Sequence, residues 1–156
     1  MNPIFKKLNY KDQKELHIVN APDSFKKETD EMHSLASIKN SLTNTKSVSF
    51  FLAFVTKQKE VDEWCKKIAT VLSDDGLLWL AYPKGTSKKY KCDFNRDTGW
   101  EVLGKLGFEP VRMIAIDEDW SVLRFRKPEN IKKMVRSFAM TELGKKKVAA
   151  NRETKK

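Results

Sequence analysis

Two short apolar runs flank one amphipathic segment in the middle of the chain. Residues 48–55 (Val-Ser-Phe-Phe-Leu-Ala-Phe-Val) and 77–82 are almost continuously apolar and too short for ordinary helices, which is typical of strands buried on both faces. Between them, residues 57–72 repeat apolar side chains at the spacing of one helical face. That face consists of Val61, Trp64, Cys65, Ile68, Val71 and Leu72. Strand, helix and strand with short links predict a right-handed parallel crossover.

Capping and turn residues predict where these elements begin and end. Thr56 is placed to cap the start of the central helix, and Gly76 is placed to end it. Upstream, residues 16–20 (Leu-His-Ile-Val-Asn) predict a first strand, which Pro22 cannot continue. The pattern in residues 25–46 is weak, and its few apolar residues fit a short edge strand and one turn of helix equally well.

The rest of the body predicts a loop, a helix and a hairpin. Residues 83–95 form a loop rich in lysine, and a helix then begins at residue 95 or 97 and stops at Gly107. Residues 111–116 and 120–126 are two strands with a separation short enough for an antiparallel hairpin. The predicted fold class is therefore α/β, a three-layer Rossmann-like sheet that is mostly parallel and ends in an antiparallel hairpin.

Positive charge is concentrated at the C-terminal end. The 156 residues carry a net charge of +10. Residues 126–156 hold eleven Lys or Arg against three Glu, a balance of +8, so the preceding 125 residues are close to neutral. We expect a single Rossmann-like domain at residues 1–127 and a basic C-terminal helix with a disordered tail at residues 128–156.

Several classes of protein are disfavoured. Cys65 and Cys92 form no CxxC pair, so reduced thiols are expected. No apolar run approaches the roughly 20 residues of a membrane-spanning helix, and no secretory signal core is present, which favours a cytoplasmic protein. His17 and His33 lack metal-ligand spacing, and His17 is expected to be a hydrogen-bonded structural histidine. The acids at 117–119 fit a hairpin tip. No metal, cofactor or catalytic residue is predicted.

The order of elements from Val48 onward resembles the second half of the S-adenosylmethionine-dependent methyltransferase fold. Residues 72–79 (Leu-Ser-Asp-Asp-Gly-Leu-Leu-Trp) are similar to the turn after its fourth helix, and Gly107 and Phe108 precede the last hairpin as in that fold. The resemblance implies a cofactor held by a glycine-rich turn after the first strand. Here that turn is residues 20–24 (Asn-Ala-Pro-Asp-Ser), which has no glycine, so the usual cofactor site is not expected.

Three motifs are also similar to a family of small bacterial proteins whose domain has no assigned function. They are Val19-Asn-Ala-Pro22 with Phe25, Ala81-Tyr-Pro-Lys84, and Ala115-Ile-Asp-Glu118 followed by Trp120-Ser-Val-Leu-Arg-Phe-Arg126. The similarity spans about residues 10–127. It implies a fold and no activity.

Cationic and polar residues follow the predicted strands, and the carboxyl ends of parallel strands are where such sheets bind ligands. The candidates for anion binding are Asn20, Ser24, Tyr82, Lys84, Lys88, Lys89 and Arg96, and Lys91 lies among them. A solvated lysine-rich loop is the simpler interpretation. The basic tail offers Lys132, Lys133, Arg136, Lys145, Lys146 and Lys147 for nucleic acid or another polyanion.

Three functions are compatible with these patterns. The first is a non-catalytic domain that binds an anionic partner through the lysine-rich loop and the basic tail. The second is a divergent S-adenosylmethionine-dependent methyltransferase, and the third is a structural or interaction protein. The sequence favours the first because no motif specifies a reaction.

Overall fold

Eleven segments of regular structure are assigned in the computed structural model, which describes residues 2–43, 45–94 and 99–128. The helices are α1 (Pro3–Lys7), α2 (Lys26–Met32), α3 (Gln58–Ala69) and α4 (Glu101–Lys105), and a 3-10 turn at Asp23–Phe25 leads into α2. The strands are β1 (Glu15–Val19), β2 (Ser37–Lys39), β3 (Val48–Phe54), β4 (Leu72–Pro83), β5 (Glu109–Ala115) and β6 (Trp120–Arg126). None of the helices in these residues is long and apolar enough to cross a bilayer.

The six strands form one sheet in the order β2-β1-β3-β4-β6-β5. The pairs β2–β1, β1–β3 and β3–β4 are parallel, whereas β6 runs antiparallel to both β4 and β5. The predicted fold class is confirmed: the sheet is mostly parallel, Rossmann-like and completed by a C-terminal hairpin. Strand β1 leads to β2 on one side, and the chain then crosses over to β3 on its other side.

Alternation along the strands sends apolar side chains into two separate cores. On one face, here called the α1 face, helices α1 and α2 and the 3-10 turn between them cover Phe50, Leu52 and Trp79. On the opposite face, here called the α3 face, helices α3 and α4 cover Phe51, Leu78 and Phe125. Cys65 lies in this second core, where burial raises the pKa of its thiol and keeps it protonated.

Some predicted boundaries were wrong. Gly76 does not end the central helix: α3 stops at Ala69, and Gly76 lies inside β4 next to an irregularity in the β3–β4 register. In the weak segment 25–46, the alternative of a short edge strand is present as β2 (Ser37–Lys39), and helix α2 (Lys26–Met32) precedes it. Helix α4 begins at Glu101, and the predicted start at 95 or 97 and the basic tail from residue 129 onward lie outside the described residues.

Candidate functional site

Strands β1 and β3 form the switch point of this sheet. They are parallel neighbours, and the helices that follow them, α2 and α3, pack on opposite faces. In an open α/β sheet such a pair leaves a crevice beyond its carboxyl ends, and ligands bind there. The residues that follow β1 and β3 therefore decide whether this crevice is open.

The turn after β1 is bonded to the start of α3. Asn20 has a left-handed backbone (φ 58°), and its side-chain amide donates a hydrogen bond of 3.3 Å to the Oε2 atom of Glu60. The Oε1 atom of Glu60 accepts hydrogen bonds from the backbone amides of Thr56 (3.0 Å) and Lys57 (3.2 Å). One carboxylate thus bridges the carboxyl ends of β1 and β3, and it places negative charge in the crevice.

Aromatic side chains fill the α1 face below this turn. Phe25 is 2% exposed, and its ring centroid lies 5.0 Å from that of Phe54, the last residue of β3. Phe54 also contacts Trp120 edge-on, with centroids 5.1 Å apart. These rings therefore belong to the buried core directly below the turn after β1.

The end of β2 carries no acid. In dinucleotide-binding sheets, an Asp or Glu after the second strand binds the ribose hydroxyls. Here β2 ends at Lys39 and is followed by Asn40. A cation and an amide therefore stand where that fold places a carboxylate.

A cavity of about 370 Å³ lies at the carboxyl end of β4, and we call it the β4 cavity. Its lining consists of Tyr82, Pro83, Lys84, Gly85, Ser87, Tyr90, Lys91, Cys92 and Phe94. Among the described residues the lining includes two lysines and no carboxylate. A volume of this size is typical of sites for small ligands.

Hydrogen bonds hold the loop that surrounds the β4 cavity. The hydroxyl of Ser87 donates to the Oδ1 atom of Asp119 (2.8 Å) and accepts from the amide of Tyr90 (3.1 Å). The amide of Lys84 donates to the carbonyl of Asp119 (2.8 Å). At the far end of the loop, Asp93 accepts from the amide of Gln58 (2.6 Å), the first residue of α3. The loop is thereby tied to both the hairpin and a helix start.

The hairpin tip behaves as its sequence predicts. The Oδ1 atom of Asp117 accepts hydrogen bonds from the backbone amides of Asp119 and Trp120, both 2.8 Å long. These acids therefore form the turn, as residues at such tips commonly do. No cluster of three or more His, Cys, Asp or Glu suited to a metal occurs in the described part of the chain.

The predicted anion-binding residues divide into two groups. Tyr82 and Lys84 line the β4 cavity together with Lys91, and Lys88 and Lys89 are exposed on the same loop. Asn20 and Ser24 lie apart from them, in the turn after β1. Arg96 lies outside the described residues, as do all the tail positions from Lys132 onward.

Sequence reasoning did not assign Ser87, Tyr90 and Phe94 to this site. Tyr90 is half-buried, with its ring centroid 4.9 Å from that of Trp120, and Phe94 packs edge-on against Trp100 at 5.2 Å. Cys92 also lines the cavity, and burial raises the pKa of its thiol. The sequence signal that could have identified them is the pair of aromatic residues Tyr90 and Phe94, spaced four apart in a charged loop.

A second cavity, of about 750 Å³, lies beside β1 and β2 and includes His17 in its lining. His17 is buried, and neither ring nitrogen has a hydrogen-bond partner among the described residues, contrary to the expected hydrogen-bonded histidine. The Oε2 atom of Glu15 lies 3.7 Å from Nε2. Burial lowers the pKa of His17, a shift that Glu15 opposes and Lys39 reinforces.

His17 is expected to make the protein less stable in mild acid. Its pKa is lower in the folded than in the unfolded chain, so the unfolded chain takes up the proton first as the pH falls below about 6.5. The stability contributed by neutral His17 is present above that pH and is lost below it. We expect His17→Leu to flatten the dependence of the free energy of unfolding on pH between 7.5 and 5.5, measured by urea denaturation.

The exposed His33 provides the control for this measurement. His33→Gln removes the other histidine of the chain from an exposed position, and the flattening should be larger in His17→Leu than in this variant. An unchanged slope in His17→Leu would contradict the attribution of this pH dependence to His17.

The fold is similar to that of a solved methyltransferase structure. A SAM-dependent methyltransferase from Aquifex aeolicus matches with a TM-score of 0.51 and 12% identity, over 78% of this chain and 86% of that one. A TehB-like SAM-dependent methyltransferase from Corynebacterium glutamicum matches with a TM-score of 0.46 and 10% identity, over 80% and 85%. No family model matches the chain, and no curated protein matches it significantly by sequence.

The residues of the switch point do not fit S-adenosylmethionine bound in the usual way. The turn after β1 has no glycine, and Pro22 lacks a backbone donor. The Glu60 carboxylate is bonded across the crevice to Asn20, and Lys39 takes the place of a ribose-binding acid at the end of β2. The chain therefore has a Rossmann-like fold similar to that of the S-adenosylmethionine-dependent methyltransferases, and the hydrogen bond between Asn20 and Glu60 bridges the crevice at its switch point.

Proposed function

We propose that this chain is a non-catalytic domain that binds single-stranded nucleic acid, one nucleotide of which occupies the β4 cavity. The observation that carries the proposal is the composition of the lining, where Lys84 and Lys91 stand beside the rings of Tyr90 and Phe94. Ammonium groups neutralise phosphates, and aromatic rings stack on bases of any sequence. The volume of about 370 Å³ suits a ligand of this size.

The charges around the β4 cavity indicate how a strand would lie. Lys88 and Lys89 are exposed on the same loop and extend the cationic surface beyond the cavity. On the other side Asp119 is held by Ser87, so its negative charge borders the hairpin. The phosphates are therefore expected along the lysine side of the loop, away from the hairpin tip.

The basic tail supplies further charge for the same partner. Residues 126–156 carry a balance of +8, and sequence-independent affinity rises with each phosphate that is neutralised. Replacing Lys145, Lys146 and Lys147 together with Gln should weaken binding to all sequences alike. The slope of log affinity against log salt should fall by about 2, since each lost contact to a single strand removes about 0.7.

The direct test is fluorescence anisotropy with a labelled oligothymidylate and the full chain at low salt. We expect saturable binding, and Lys91→Glu should weaken it about tenfold, as one phosphate contact becomes a repulsion. Lys66→Glu makes the same change of charge at an exposed position of α3, away from the cavity, and should have a much smaller effect. Absence of binding by the wild-type chain, or equal losses in the two variants, would overturn the proposal.

Methyl transfer is the second candidate function, and the sheet order is the observation that favours it. The hydrogen bond between Asn20 and Glu60 across the crevice counts against methyl transfer. The two functions are separable by experiment because nucleic-acid binding at the β4 cavity does not require the cofactor.

A further inference from the structure

Three arginines lie on one face of the antiparallel strands. They are near the amino end of β4, whereas the β4 cavity lies at its carboxyl end. Arg112 of β5 is directly opposite Arg124 of β6, and Arg126 follows two residues later on the same side of β6. Arg124 is also opposite Trp79 of β4, a residue of the core on the α1 face. All three guanidinium groups therefore belong to the α1 face.

The carboxylate of Asp75 pairs closely with only one of the three. It binds Arg126 through two hydrogen bonds, of 2.9 Å to Nε and 2.6 Å to Nη2. Its contact with Nη2 of Arg124 is 4.0 Å long, and its ion pairs do not extend to Arg112. Glu109, the register partner of Arg126, is fully buried. Among the described residues of β4, β5 and β6, the three arginines therefore share their face with two carboxylates, those of Asp75 and Glu109.

Arg124 is the least satisfied member of the group. Its side chain is only 12% exposed, and its Nε atom has no hydrogen-bond partner among the described residues. Burial lowers the pKa of its guanidinium, and Arg126 and Arg112 lower it further, whereas Asp75 raises it. Like charges directly opposite each other destabilise a strand pair, and a buried donor without an acceptor adds to that cost. An anion would remove both penalties.

We propose that Arg112 and Arg124 bind a phosphate group on the α1 face. A guanidinium is a planar fork that holds a tetrahedral oxyanion through two parallel hydrogen bonds, and two adjacent forks match its several oxygens. Asp75 holds Arg126 in place at the side of the site. This site is separate from the β4 cavity and does not depend on the function proposed for that cavity.

Thermal denaturation of the full chain in sodium phosphate and in sodium chloride of equal ionic strength tests this site. For the wild-type chain we expect a saturable rise of about 3–5 °C in the midpoint at a phosphate concentration ten times the dissociation constant. Arg112→Gln should lose that rise. Without phosphate at low salt it should be at least as stable as the wild type, because a like-charge pair has been removed. Arg112→Leu serves as a second variant with the same expectation.

A control variant and the general effect of phosphate on proteins define what is specific to this site. Lys105→Gln removes one positive charge at an exposed position and should keep the response to phosphate. Phosphate also stabilises proteins through exclusion from their surfaces, and that part should persist in every variant. An identical response to phosphate in wild-type and Arg112→Gln protein would overturn the site.

The source of the phosphate follows from the same variants. If Arg112→Gln also weakens binding of oligothymidylate, the site takes the backbone of a nucleic acid. If oligonucleotide affinity is unchanged while the phosphate response is lost, the site takes a free phosphate or phosphate monoester. The phosphate response itself is measured without oligonucleotide, so it is independent of the outcome of the β4 cavity experiment.

Discussion

Phe54→Ala is expected to lower the free energy of unfolding by about 3–5 kcal/mol, the usual cost of truncating a buried phenylalanine. Phe54 is 2% exposed and ends β3 directly below the switch point. Its ring contacts Phe25 at 5.0 Å and Trp120 at 5.1 Å, so its removal leaves a cavity between the first turn and the hairpin. The surrounding β-strand backbone limits how far that cavity can collapse.

Urea denaturation of wild-type and variant protein measures this effect. Leu35→Ala also truncates a large apolar side chain, at a position that is 46% exposed, and it should change the free energy of unfolding by no more than about 0.5 kcal/mol. Phe54→Leu should fall between the two. A loss below about 1 kcal/mol for Phe54→Ala would show that this aromatic cluster is not packed as described.

Gly76→Ala is expected to cost about 1–3 kcal/mol, the range for overpacking a well-packed site. A Cβ atom at Gly76 would lie 2.9 Å from the carbonyl oxygen of Val48 and 2.8 Å from Cδ1 of Leu72. The side chain of Leu72 can rotate away, but the Val48 carbonyl belongs to the neighbouring strand. The added methyl group therefore forces β3 and β4 apart where their register is already irregular.

Gly85→Ala is the matched control for this substitution. A Cβ atom added at Gly85, in the loop of the β4 cavity, would meet no heavy atom within 4 Å. Its replacement should leave the free energy of unfolding within about 0.5 kcal/mol of the wild type. Equal effects of the two substitutions in thermal or urea denaturation would contradict the close approach of the two strands at Gly76.

The helices and strands whose apolar residues follow a clear pattern could be predicted from the sequence. The apolar run of β3, the amphipathic stripe of α3 and the hairpin near residues 111–126 each carry a local signal that tertiary contacts reinforce. Gly76 misled the prediction because a glycine after a helical stripe is a common helix end. Here the glycine is required by the close approach of Val48, a residue of a different strand.

The arrangement of residues at the crevice could be predicted only in part. The missing glycine and Pro22 are visible in the sequence, and they indicated that the usual cofactor turn is absent. The hydrogen bond between Asn20 and Glu60 joins residues forty positions apart, and no local sequence pattern indicates it. The same holds for the β4 cavity, where Ser87 reaches Asp119 across thirty-two positions to hold the loop.

We propose that the Asn20–Glu60 bond closes the crevice at the switch point to S-adenosylmethionine, and an amide-resolved NMR titration of the full chain with S-adenosylhomocysteine tests this central claim most directly. We predict no saturable shifts at residues 20–24 or 56–60 up to millimolar ligand, whereas oligothymidylate should shift residues 84–94. Saturable shifts at residues 20–24 with S-adenosylhomocysteine would contradict a closed crevice.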